Sequence, residues 1–198
     1  DTVSEYLIDW GDGSAVQSVA NLGDVDHTFA DGDANVVISV SAVNEEGTFG
    51  VGTVNVQVDN VVPTITISGN AQIDEGANYT LTLGAIVDPG DDTVTQTLIN
   101  WGDGTSEAYT GAGDYQHTFA DGLSTPTITV VSTDEDGTHQ VASKTITVND
   151  VAPTVAVSGA ASTDEGAVYT LTLANLVDPG EDTVSEYLID WGDGSAVQ

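Results

Sequence analysis

The 198-residue chain has no cysteine, no methionine and no arginine, and its only base is Lys144. Without cysteine there are no disulfide staples, which leaves bound metal as the cross-link open to a secreted protein. One base against 32 acidic residues gives a net charge of −31 at pH 7. Nucleic acid and anionic membrane both require cationic contacts, so neither is expected as a partner. Such a charge opposes compaction unless high salt screens it or multivalent cations bind it, and both conditions point outside the cytosol. There is no apolar run of membrane-spanning length, hence no membrane insertion in this segment. With neither a signal peptide nor an initiator methionine, an interior or processed piece of something longer is expected. No stretch reads as a helix, and no serine, cysteine or lysine is arranged with a base as a nucleophile would be. Carboxylate pairs abound, but hydrolysis needs a concave pocket that polar sandwich ends rarely supply, so the chain is expected not to be an enzyme.

What the chain has instead is repetition. The run DTVSEYLIDWGDGSAVQ at residues 1–17 returns unaltered at 182–198, and a looser copy, DTVTQTLINWGDGTSEA, begins at Asp92. Trp10, Trp101 and Trp191 thus mark a tandem array with a period of about 90 residues. In each copy the residues before the tryptophan alternate in polarity, as Tyr187, Ile189 and Trp191 do with Glu186, Leu188 and Asp190. That is the pattern of a strand burying one face and ending in a Gly-Asp-Gly turn. Across 61–150 the alternation predicts strands near 63–68, 79–83, 93–101, 107–110, 114–119, 126–133 and 139–148, with Pro, Gly and Asp in every gap. Seven short strands predict an all-β sandwich.

Prolines open new strand sets at Pro63 and Pro153. The segments are therefore read as the C-terminal part of a domain (1–60), a complete domain (61–150) and the N-terminal part of another (151–198). Residues 151–181 followed by 1–60 would make one further whole domain, so two modules alternate in a super-repeat of about 181 residues. Cut sandwiches would expose apolar core and open strand edges. A continuous chain of super-repeats is expected over separate chains that complete one another's halves. Pure complementation would bring two tryptophan strands to a place that holds one.

The order WGDG, then His-Thr-Phe-Ala-Asp-Gly, then a strand and Asp-Glu-Asp-Gly resembles the polycystic-kidney-disease (PKD) type of immunoglobulin-like domain, over the whole chain. The DEG, VDPG and NDVAPTV segments are similar to PKD-like repeats of very large bacterial surface proteins and adhesins. The resemblance implies tandem immunoglobulin-like sandwiches of about seven strands, serving as extracellular spacers or binding modules, some of which bind calcium. The linker 148–153 also resembles the calcium-chelating linker of cadherins, without its second asparagine before Ala-Pro.

On a sandwich of that topology, Glu75, Asp103 and Asp121 gather at one pole beside linker Asn149 and Asp150, facing Asp178, Glu181 and Asp182 of the next repeat. Glu165 is the same DEG position one repeat later. At the other junction Asp12 and Asp31 lie on one side, Asp59 and Asn60 in the linker, and Asp88, Asp91, Asp92, Asp134 and Asp136 on the other side. Calcium takes six to eight oxygen ligands, which makes these residues candidate ligands and calcium the expected cofactor. Aspartate also populates turns for conformational reasons, whereas the glutamate of DEG has no turn role. No run matches an EF-hand loop or the glycine-rich nonapeptide repeat.

His27 and His117, at inward parity two residues before Phe29 and Phe119, read as half-buried structural histidines rather than zinc ligands. His139 reads as exposed and the three tryptophans as core. The whole suggests a calcium-stiffened stalk, extender or filament at a bacterial cell surface or in extracellular matrix. Its partners would be identical neighbouring repeats, end to end, self-assembling into a filament. Two rivals remain: a glycan- or matrix-binding adhesion module, and an acidic halophile surface protein for which sodium at matched ionic strength replaces calcium.

Overall fold

The structure is a computed structural model that describes residues 2–198; Asp1, the first residue of the duplicated run, lies outside the described residues. The fold is all-β, with 0% helix and 49% strand in several antiparallel sheets, consistent with a β-sandwich. The chain splits into two compact units. One comprises Asp1–Ile65, Ile86–Thr97 and Val131–Val141, the other Thr66–Ala85, Leu98–Val130 and Ala142–Gln198.

In the first unit, β1 (Glu5–Asp9), β2 (Gln17–Val19), β3 (Ala34–Asn44) and β4 (Gly47–Val58) form one sheet in the order β2-β1-β3-β4. A tight turn joins β3 to β4, in which Asn44 Oδ1 accepts the N–H groups of Glu46 (2.9 Å) and Gly47 (3.1 Å). β1 runs antiparallel to β3, Glu5 opposite Val43 and Asp9 opposite Ser39. Period-two alternation buries Ile8, Val36 and Ala42, with Trp10 just beyond β1, and leaves Val37 and Val54 exposed.

The remaining strands are β5 (Thr64–Gly69), β6 (Gln72–Asp74), β7 (Asn78–Val87), β8 (Gln96–Asn100), β9 (Ser106–Ala108), β10 (Gly113–Thr118), β11 (Thr127–Thr133), β12 (Thr138–Thr145), β13 (Thr147–Asn149), β14 (Thr154–Gly159) and β15 (Leu171–Val177). They form sheets in the orders β10-β7-β5 and β12-β11-β8-β9, with β13-β6 and β14-β15 as pairs. The core of the second unit holds Tyr79, Leu81 and Leu83 of β7 with Ile99, Trp101, Ile128 and Val130, all buried. Tyr79 meets Trp101 edge to face at 6.5 Å. Gly102 lets the chain turn here: its φ is +85°, and a Cβ would lie 2.7 Å from the Thr127 carbonyl oxygen.

Three features depart from the expected strands. β6 is not anticipated, and the strand expected over 139–148 breaks at Ile146 into β12 and β13. The cause is that β13 leaves its sheet to pair parallel with β6, Thr147 opposite Gln72 and Asn149 opposite Asp74, which ties the DEG turn to residue 149. Third, the two identical runs differ. Glu5–Asp9 is a strand, but residues 186–190 carry none, and Trp191, expected in the core, is 39% exposed against 2% for Trp101. Among the described residues, nothing takes beside 186–190 the place that β3 takes beside β1.

Candidate metal centres

Glu75 follows β6 in a turn held by backbone hydrogen bonds. Its N–H donates to the Asn149 carbonyl (3.0 Å), and the Gly76 N–H donates to that of Phe119 (2.9 Å). The side chain is consequently driven inward and is 1% exposed. Oε1 accepts the Val151 N–H at 2.8 Å, while Oε2 is buried with no hydrogen-bond partner. Glycines permit this approach. A Cβ on Gly180 would lie 2.5 Å from the Glu75 carboxyl carbon, and one on Gly122 would lie 2.5 Å from Asp150 Cα. Oxygens of Glu75, Asp178 and Asp182 lie within 4.8 Å of one another, and both Asp178 oxygens are buried without partners. The Asp182 carboxyl is pushed up by desolvation and then by the charges of Glu75, Asp150 and Asp121.

A second group, in the first unit, joins Asp31, Asp92 and Asp136, again with oxygens within 4.8 Å. Asp31 lies in the turn after Phe29, and the Asp91 N–H holds the 88–92 turn to the Ala30 carbonyl at 2.9 Å. Asp136 is placed by Asp134, whose Oδ1 accepts the N–H groups of Asp136 and Gly137, both at 3.0 Å. Asp134 Oδ2, Asp92 Oδ1 and Asp88 Oδ2 are left buried and unpartnered. Desolvation, then the charges of Asp88, Asp136 and Asp31, push the Asp92 carboxyl up to about 6. Asp136 is raised by desolvation and then chiefly by Asp31 and Asp134.

Buried polar atoms are ordinarily hydrogen-bonded, and like charges this close oppose each other's ionisation. A hard divalent cation removes both costs by supplying the missing partner and the opposite charge. An oxygen-only donor set suits calcium, magnesium or manganese rather than zinc, which prefers nitrogen and sulfur.

The other expected ligands lie outside these two groups. Asp12 closes its turn by accepting the Ser14 N–H (2.9 Å) and pairs with His27 Nε2 (2.6 Å). The Ser14 hydroxyl, then His27 and the Ser14 N–H, hold its carboxyl well below the usual carboxylate range. Asp103 likewise accepts the Thr105 N–H (2.9 Å) and pairs with His117 (2.6 Å). Desolvation pushes Asp103 up, but the Thr105 hydroxyl and His117 outweigh it and the net shift is downward. Each histidine stacks on its tryptophan, His27 on Trp10 at 4.4 Å and His117 on Trp101 at 4.5 Å. They are thereby half-buried, as the parity argument expects. His139, expected exposed, is half-buried with Nε2 3.8 Å from Asp134 Oδ1.

Asp59 accepts from Gln57 (2.9 Å), the Asn60 N–H donates to Asp33 (3.3 Å), and Asn149 Nδ2 donates to Asp74 (3.0 Å). Glu181 is tied by its N–H to the Ala120 carbonyl (2.8 Å). Asp121 and Asp150 reach the Glu75 group through their charges on Asp182. Glu165 is exposed and belongs to neither group. Asp33 and Glu135, absent from the expected set, act on Asp136 through their charges. Their signal was their position within the same acidic turns, ADGD and DEDG.

No family model matches the chain, and no curated protein matches it. Among the described residues no helix is long and apolar enough to cross a membrane.

Proposed function

We propose that the chain is a structural repeat of an extracellular stalk, extender or filament, built of tandem PKD-like immunoglobulin-type sandwiches whose junctions are stiffened by calcium. The observation that carries this reading is Glu75: a carboxylate 1% exposed, with one oxygen unpartnered, facing Asp178 and Asp182. On this reading the Val151 N–H that Glu75 holds opens the next repeat, and the Asp31 group serves the preceding junction. Placing a charge-neutralising ion at each passage uses binding energy to order the turns that join the repeats. Near-identity between repeats suits a spacer, since a ligand site needs only one copy. The extreme acidity supports the same reading, because a free surface of one sign favours the state that binds multivalent cations.

Calorimetric titration with calcium, followed by EDTA, tests the reading. The expected dissociation constant is in the extracellular class, on the order of 0.1 to 1 mM or tighter. EDTA should reverse the heat, and sodium at matched ionic strength should not reproduce it. Equal stabilisation by sodium would refute a specific cation site and favour the salt-dependent halophile reading instead.

A further inference from the structure

The turn that joins β11 to β12 is spelled DEDGTH at 134–139, and the turn that joins β3 to β4 is spelled NEEGTF at 44–49. Both turns do the same backbone work. Asp134 Oδ1 accepts the N–H groups of Asp136 and Gly137 at 3.0 Å each, and Asn44 Oδ1 accepts those of Glu46 and Gly47 at 2.9 and 3.1 Å. One neutral oxygen therefore closes this turn. The charge of Asp134 and its second oxygen go beyond that need, yet both are buried: the side chain is 0% exposed, and Oδ2 has no hydrogen-bond partner.

The turn with the additional carboxylate also carries an additional imidazole. His139 stands where the other turn has Phe49, so the position accepts a ring with no polar atom. The imidazole lies over its own turn, with Nε2 3.8 Å from Asp134 Oδ1 and 3.8 Å from the point that a Cβ on Gly137 would occupy. That nitrogen is buried and, among the described residues, has no hydrogen-bond partner. The other two histidines differ, since Nε2 of His27 and of His117 each lies 2.6 Å from an aspartate oxygen. The pair stands on a closed frame, because the Thr133 and Thr138 hydroxyls bond across the base of the turn at 2.9 Å and the Asp134 N–H donates to the Gly137 carbonyl at 3.0 Å. The gap between carboxylate and imidazole exceeds the roughly 2.9 Å of a hydrogen bond. Two metal–ligand bonds of about 2.0 to 2.2 Å each would span it.

We propose that Asp134 and His139 form a mixed nitrogen–oxygen site for a divalent metal of the zinc class, beside the oxygen-only Asp31 group. An imidazole nitrogen suits zinc or nickel, whereas calcium takes oxygen. The ion supplies the partner that each buried group lacks and offsets the charge of Asp134, with water in the remaining positions. Only one of the two turns offers the site, because Asn44 and Phe49 bring neither the charge nor the nitrogen. His139 is not among the expected calcium ligands, so this inference stands or falls apart from the calcium reading.

The test titrates zinc into the full chain with calcium in excess to occupy the oxygen-only groups, at a pH where imidazoles are ordinarily neutral. The chain has three histidines, so nitrogen-15 NMR of the rings reads each of them separately. The His139 ring signal should move and reach saturation at one zinc ion per chain, while those of His27 and His117 stay in place. His139→Phe and Asp134→Asn each introduce the residue that the other turn carries, so both variants should fold, and thermal melts in chelator verify it. Each should weaken zinc binding at least about tenfold, since even an outer-shell partner is worth that much. An unmoved His139 signal, movement of His27 or His117 in its stead, or a zinc affinity unchanged in either folded variant would each overturn the proposal.

Discussion

The Glu75 carboxylate does two jobs: Oε1 fixes the Val151 N–H while Oε2 stays buried and unpartnered, and the group meets Asp178 and Asp182. Glu75→Gln keeps the first job and removes the charge from the second. Its calcium affinity is expected to fall at least about tenfold, the cost of losing even an outer-shell partner. In EDTA its melting point should rise, since repulsion among three carboxylates is relieved; calorimetry and thermal melts read the two effects. Asp92 supplies a pH signature. Its folded carboxyl, at about 6, lies above the ordinary aspartate value, so the cation-free folded chain holds a proton that the unfolded chain releases. Its contribution to stability is therefore present at low pH and is lost as pH rises through about 6. On the proposed reading a bound calcium would displace that proton, so affinity at the Asp31 group should drop as pH falls below this value. Titrations on either side of it check the sign, and an affinity flat across the range would exclude Asp92 as a ligand. The turns bearing these residues were legible from Asp-Gly spelling. What was not legible is that Asp12 and Asp103 spend their oxygens on His27 and His117, because that choice depends on a histidine fourteen or fifteen residues away.

The duplicated run shows how little a strand owes to its own residues. Glu5–Asp9 pairs with both β2 and β3, whereas in 186–190 only Ile189 is paired, exchanging two backbone hydrogen bonds with Gln198 (2.8 and 3.1 Å), and among the described residues no counterpart of β3 lies beside it. Residue-resolved amide exchange should be slower in the first copy by orders of magnitude, since protection follows local hydrogen bonding and contact density. Equal rates would mean that the second copy is also paired in solution. The tryptophans divide in the same way. Trp101→Ala should cost roughly 3 to 5 kcal/mol, the usual range for a buried large aromatic, whereas Trp191→Ala should cost far less because the ring is already 39% exposed. Denaturant midpoints of the two variants compare them. Most long strands follow from alternation of apolar residues. The three-residue strands β6 and β13 do not, because so short a run has no period to detect and exists only through its partner.

For the whole molecule, −31 at pH 7 means that folding concentrates charge of one sign. Melting points should rise with any salt through screening, but further with calcium than with sodium at matched ionic strength, since only a bound ion reaches the buried oxygens at Glu75 and Asp92. Identical curves would leave screening as the whole effect. The amino-acid sequence by itself determined the all-β class, the period marked by Trp10, Trp101 and Trp191, and the concentration of aspartates in Gly-rich turns. These are properties of neighbours along the chain: alternation, turn chemistry and repetition. Only the tertiary structure decided which of the many acids meet. Asp31, Asp92 and Asp136 come from three turns far apart in sequence, and Glu75 is buried because Gly122 and Gly180 lack side chains where the chain returns to it. Such meetings depend on the packing of distant backbone segments, and local residue pattern carries no record of that distance.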